Sequence, residues 1–190
     1  MKQQPIRSGA AENYLNEYRR ILDNMIDGMT RAPLTDSISN NFIVQMIPHH
    51  MAAIEMSENL IRFTKDETVQ SIARNIISEQ TQGIANMKAI YATCLTLINP
   101  QRSVNAYESR INSIMCAMFS QMKTAPSDVN INCDFLREMI PHHLGAVRMS
   151  QTALNFNVCR GLVPILNDII STQRRGIRRM QSLEQQCRLR

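Results

Sequence analysis

Displaced by 93 positions, the chain falls onto itself without a gap. Tyr14 meets Tyr107, Ile21 meets Ile114, Met25 meets Met118 and Met29 meets Met122. Ala32-Pro33 meets Ala125-Pro126, Phe42 meets Phe135, and Ala53, Met56 and Ser57 meet Ala146, Met149 and Ser150. The match continues through Ile76-Ile77 on Ile169-Ile170, Gln80 on Gln173, Gly83-Ile84 on Gly176-Ile177, Met87 on Met180 and Cys94 on Cys187. An internal duplication restricts the fold severely. Each copy is one supersecondary unit with apolar faces to bury, and the economical solution packs the copies about a pseudo-two-fold axis. We expect one helical-bundle domain over residues 1–190, with repeats at about 11–98 and 104–190.

Each unit reads as three helices. The first runs from about Ala11 to Met29, with Tyr14, Tyr18, Ile21, Met25 and Met29 at helical spacing. After a break at Arg31–Ser37, with Asp36 or Ser37 as N-cap, the second runs from about Ser37 to Phe63. The third starts near Asp66, a cap ahead of Glu67, and continues to about Ile98. Asn99–Ser103 joins the units, and the second copy repeats the scheme with Pro126-Ser-Asp as its break and Pro164 near the start of its third helix. Few glycines and aromatics and no tryptophan agree with an all-α chain. Its expected centre is four long helices from the two hairpins, flanked by the two preceding helices.

All four histidines fall in one repeated word, Met46-Ile47-Pro48-His49-His50 and Met139-Ile140-Pro141-His142-His143. On a helical wheel, Phe42, Met46, His49, His50, Ala53, Met56 and Ser57 share roughly one third of the circumference. Glu55 and Met51 lie on the other side, so methionines share the histidine face of this helix and carboxylates do not. Facing it, Ile76, Gln80, Gly83 and Met87 form a stripe on the third helix, with the register between the two left open. Pro48 either kinks the helix, because it cannot donate to the Val44 carbonyl, or marks the helix start; Pro141 and Arg137 repeat the choice.

Imidazole beside thioether suits Cu(I) or Ag(I), with Cu(II) and Zn(II) less natural. A di-iron carboxylate site would need Glu-x-x-His, and the residue three before His49 and His142 is Met46 and Met139. The candidate ligands are His49, His50, Met46, Met56 and Met87, with His142, His143, Met139, Met149 and Met180. The competing reading is histidines satisfied within a core. Met25, Met29, Met118 and Met122 read as packing.

Charge and cysteine bound the remaining options. Residues 1–93 carry nine Lys+Arg against ten Asp+Glu, while residues 94–190 carry twelve against six, which puts the excess in the second half. Arg174, Arg175, Arg178 and Arg179, with Arg188 and Arg190 beyond, read as a solvated helix face. No aromatics interleave with them for base stacking, so no nucleic-acid partner is expected. Five cysteines (Cys94, Cys116, Cys133, Cys159 and Cys187) without CxxC spacing read as reduced thiols rather than a disulfide framework. The sequence shows no signal-peptide core and no transmembrane segment, so the expected location is cytoplasmic, or extracytoplasmic if an export signal has been removed. Self-association is left open.

The pattern Phe-x-x-x-Met-Ile-Pro-His-His-x-x-Ala-(Ile/Val)-x-Met-Ser, followed by Gln-x-x-Gly-Ile-x-x-Met, is carried by Phe42–Ser57 with Gln80–Met87 and by Phe135–Ser150 with Gln173–Met180. It resembles the bacterial family catalogued as domain of unknown function 305. The resemblance implies a ferritin-like helical bundle, and some members bind copper or silver through Met and His. Many members carry export signals, and many have Glu where Gly83 and Gly176 stand. It carries no established enzymatic activity. The residues themselves offer no nucleophile–base pair and no phosphate-cradling loop, so a metal-dependent oxidoreductase has nothing arguing for it. A soft-metal buffer, carrier or tolerance protein is the primary reading, and a metal-free structural or interaction bundle is its alternative.

Overall fold

A computed structural model describes residues 9–127 and 130–187; Asp128 in the second break, Arg188 and Arg190 fall outside them, as do residues 1–8. Six helices account for the regular structure of the described residues: α1 Gly9–Thr30, α2 Ile38–Phe63, α3 Glu67–Leu95, α4 Gln101–Lys123, α5 Ile131–Ala153 and α6 Leu162–Cys187. The chain is an all-α bundle of two duplicated three-helix units, as the repeat requires.

The helix starts follow capping chemistry. Ser37 accepts from the Asn40 amide, Asp66 from Thr68 and Val69, and Asn130 from Asn132, each satisfying donors that a first turn leaves open. Two boundaries differ from expectation. α3 stops at Leu95, where Thr96 Oγ1 donates to the Thr93 carbonyl, and α4 already begins at Gln101 because Pro100, with φ −59°, sets up its first turn. Both α2 and α5 run continuously through their prolines, so Pro48 and Pro141 interrupt hydrogen bonding inside a helix and do not start one. Gly28 of α1 allows close approach there: a Cβ on it would stand 2.9 Å from the Pro48 ring.

α2 packs on α3 and α5 on α6; α2 also meets α5, α3 meets α6, and α1 and α4 lie against α2 and α5. The four hairpin helices therefore form the centre, with α1 and α4 as flanks. Side chains stitch the units together. Tyr14 donates to Glu138, Tyr18 to the Met122 carbonyl, and the Asn99 amide to the Asn157 carbonyl while its oxygen accepts from the Ile38 amide. Every described methionine except Met51 is buried, so thioethers fill much of the core. The arginines of α6 are exposed, with Arg175 paired to Glu79 and Arg179 to Ser71 on α3, as a solvated face would be. No described helix is long and apolar enough to cross a membrane.

The cysteines overturn the reduced-thiol expectation. Cys94 pairs with Cys159 and Cys133 with Cys187, leaving Cys116 free and exposed. Cys94 and Cys187 are repeat equivalents, but their partners are not. Cys133 stands where the first unit has Asn40, and Cys159 where it has Asp66. Each equivalent helix end has found a different neighbour, one within its unit and one across the units, and chain spacing gives no hint of that.

Candidate metal centre

The tight packing of α2 against α5 brings His49 and His142 together at the axis. Their rings stack with centroids 3.7 Å apart and planes 31° from parallel. Nε2 of His49 donates to the His142 carbonyl at 3.2 Å, and Nε2 of His142 returns the bond to the His49 carbonyl at 3.1 Å. Because a carbonyl only accepts, both rings carry their proton on Nε2 and leave Nδ1 as a lone pair. Each donor lands on the peptide that leads directly into His50 or His143. The second histidines turn outward from this pair, with ring centroids 6.0 Å from His49 and 5.9 Å from His142.

Glycines settle the register that periodicity left open. A Cβ on Gly83 of α3 would sit 2.9 Å from Cδ2 and 3.0 Å from Nε2 of His50; on Gly176 of α6 the same distances to His143 are 3.2 and 3.4 Å. His50 therefore faces Gly83. In this antiparallel hairpin, one turn back along α2 and one turn forward along α3 sets Met46 level with Met87. The second unit sets Met139 level with Met180 beside His143. Met56 and Met149 stand six residues beyond His50 and His143, about 9 Å further along the helix. All ten predicted ligands are buried, at 2% exposure or less. By this register Met46, His50 and Met87 fall near one level of the first hairpin and Met139, His143 and Met180 near one level of the second, while His49 and His142 stack between α2 and α5.

Burial decides the charge state. Desolvation pushes the His50 imidazole down to about 3 and His142 to about 4, and drives His49 and His143 well below the ordinary range, with neighbouring imidazoles adding to the fall at His49, His50 and His143. All four are neutral at physiological pH and able to donate a lone pair without first shedding a proton. Nδ1 of His49, His50 and His142 has no hydrogen-bond partner, and neither has Oγ of Ser57 or Ser150, Oε1 of Gln173, or either amide atom of Gln80. Orphaned buried polar groups of this kind are rare and costly in a finished core. Among the described residues no group of three or more His, Cys, Asp or Glu side chains is placed to hold a metal ion.

The second unit corrects the expectation that carboxylates avoid the histidine face. Glu138 stands one turn before His142, where the first unit has Gln45, and is 3% exposed. Its carboxyl accepts from the Tyr14 hydroxyl at 2.6 Å, and burial raises its pKa to about 8, so it is protonated at neutral pH. It is engaged toward α1 and is no ionised ligand. Gln80, Gln173 and Glu138 were not among the predicted site residues; the repetition of Gln80 at Gln173 was the signal available for the first two.

Gly83 and Gly176 supply a direct check of the register. Ala at Gly176 meets the His143 ring at a distance small shifts accommodate, and its helix propensity favours it by about 1 kcal/mol. Ala at Gly83 meets the His50 ring too closely, with overpacking of about 1–3 kcal/mol. Denaturant titration is expected to show Gly176→Ala equal to or more stable than wild type and Gly83→Ala less stable. Equal effects would rule out the asymmetric packing.

The profile described as Domain of unknown function (DUF305) matches residues 39–184. A search of curated proteins found no match. Among solved structures, a DUF305 fragment from Deinococcus radiodurans is 24% identical over 78% of this chain and 96% of that chain, with a TM-score of 0.58. It bears on the fold alone. CopM in a silver-bound form obtained by soaking is 29% identical over 80% of this chain and 96% of that chain, with a TM-score of 0.57.

Proposed function

The chain belongs to the family described as Domain of unknown function (DUF305), and we propose that it binds Cu(I) or Ag(I) at two buried sites, one in each unit. The observation that supports this reading is a buried His50 facing Gly83 and a buried His143 facing Gly176, a register that sets Met46 with Met87 and Met139 with Met180 one turn away. His50, Met46 and Met87 would hold one ion; His143, Met139 and Met180 would hold the other. Two sulfurs and one nitrogen form a soft, uncharged donor set that favours a monovalent d10 ion over Zn(II) and gives hard cations little. Met56 and Met149 stand further along as secondary donors. That the 29% identical CopM structure holds silver supports the assignment. Its physiological sense is a copper buffer, carrier or tolerance protein, with no catalytic step required.

One observation favours a structural role for part of the motif. His49 and His142 already spend their Nε2 protons on each other's carbonyls, so they lock α2 to α5 and separate the two sites. Two disulfides also fit an oxidising environment, and we place the protein outside the cytoplasm.

The test is Ag(I) uptake by elemental analysis after the exposed Cys116 thiol has been alkylated. Wild type is expected to retain two ions per chain. A variant with His50→Ala and His143→Ala, and separately one with Met46, Met87, Met139 and Met180 all changed to Leu, is expected to retain fewer than one. If wild type takes up no more silver than the variant with all four histidines changed to Ala, the metal reading fails and the bundle is structural.

A further inference from the structure

Gln80 is 1% exposed and Gln173 2% exposed, at equivalent positions of the two units. Neither amide atom of Gln80 has a hydrogen-bond partner, nor has Oε1 of Gln173. Leaving a buried polar group unmatched costs about 1–3 kcal/mol. A core that repeats the cost in both copies has a use for the group beyond packing. Leucine would fill the space more cheaply.

Position indicates the use. Gln80 lies three residues before Gly83, one turn away on the helix face that meets the His50 ring, and Gln173 stands in the same relation to Gly176 and His143. The Cδ2–Nε2 edge of the His50 ring faces Gly83 and so the helix that carries Gln80, and its Nδ1 is left without a partner for an ion. An imidazole that gives one nitrogen to an ion carries its proton on the other, and an outer acceptor for that N–H fixes the tautomer and the ring orientation. Carboxylates commonly fill this role. Here Glu79, next to Gln80, pairs with Arg175 at 3.1 Å on the exposed side. Ser57 and Ser150 carry orphan hydroxyls too, but they stand seven residues beyond His50 and His143, about two turns away.

We infer that Gln80 and Gln173 are positioning residues for the two ion sites, each amide oxygen accepting the free imidazole N–H of His50 or His143 once that ring holds an ion. The inference rests on the soft-metal reading above and adds the groups that orient its histidines. With an ion on Nδ1 the ring proton lies on Nε2, the nitrogen that faces Gly83 or Gly176 one turn from each glutamine.

The experiment compares wild type with Gln80→Leu/Gln173→Leu and Gln80→Glu/Gln173→Glu, using Ag(I) as the probe with Cys116 blocked. Three readouts are taken: competition affinity, the melting temperature without metal, and nitrogen NMR of the loaded imidazoles. The Leu variant is expected to melt at or above the wild-type temperature without metal and to bind silver about 10- to 100-fold more weakly. Its loaded rings should exchange between tautomers where wild type shows one. The Glu variant restores the acceptor and is expected to recover both the affinity and the single tautomer. Unchanged affinity and tautomer in the Leu variant would overturn the inference. So would a lower metal-free melting temperature with binding intact, since the amides would then serve buried water in the core. Should the Leu variant not fold, the Glu variant decides: binding at least as tight as wild type with one tautomer supports the role, and weaker binding overturns it. Failure of wild type to exceed the four-histidine variant in silver uptake is a separate result and removes the metal reading itself.

Discussion

Without metal, the protein is expected to lose stability steeply as pH falls from about 6.5 to 4, ahead of ordinary carboxylate titration. All four histidines are held neutral by burial, with His50 near 3 and His142 near 4, against 6.5 in the unfolded chain. A depressed folded-state pKa means that the unfolded chain takes up protons first. The stabilising contribution is complete above pH 6.5 and is lost as pH falls toward the folded values. By pH 4.5, His50 and His142 would each contribute a loss of about 2.5 kcal/mol, with further loss from His49 and His143. The sum is comparable with the whole stability of a typical domain, about 5–15 kcal/mol.

Glu138 titrates in the opposite sense. Its folded pKa of about 8 lies above the unfolded value, so its contribution is complete below pH 4.5 and is lost as pH rises through 8. Wild type should therefore pass through a stability maximum at about pH 7. Glu138→Gln, which keeps an acceptor for Tyr14, should remove the alkaline decline and leave the acid limb unchanged. Urea titrations at pH 4.5, 6, 7.5 and 9 check both arms. Stability that stays flat from pH 7 to 4.5 would show that the histidines are not buried as neutral rings.

Repetition and helical period made much of this architecture readable in advance. The offset of 93 identified two equivalent units, and the 3.6-residue spacing of Tyr14, Tyr18, Ile21, Met25 and Met29 marked the buried face of α1. Asp66 announced its helix, and the choice between Asp36 and Ser37, which the structure resolves to Ser37, announced the other, because side-chain capping is local chemistry. What stayed hidden depends on contacts between helices. The facing of His50 and Gly83 is a matter of register, which one helix's periodicity does not contain. The His49–His142 pair uses backbone carbonyls as acceptors, and every residue has one. Glu138 escaped notice because its equivalent, Gln45, is uncharged, so the first unit's wheel could not reveal a buried acid in the second. The repeat also misled at the cysteines, whose bonded positions are not equivalent.

Those disulfides carry the second large expected effect. Cys94–Cys159 closes a loop of 65 residues and Cys133–Cys187 one of 54. Loop-closure entropy in the unfolded chain assigns each about 4 kcal/mol. For a chain of this length that corresponds to a fall in melting temperature of roughly 10 °C for each bond removed alone. Cys94→Ala/Cys159→Ala and Cys133→Ala/Cys187→Ala should each show it by calorimetry or denaturant titration. Removing all four bonded cysteines should cost less than the sum, because residues 133–159 lie within both loops and either bond already restricts them. The Cys94–Cys159 bond joins the end of α3 to the α5–α6 connection, so its loss should preferentially raise amide exchange where the two units meet there. Loss of Cys133–Cys187 should act within the second unit, where it ties the start of α5 to the end of α6. Paired variants within 1 kcal/mol of wild type would show that the bonds do not form in the folded protein, and the oxidising location proposed above would lose its support.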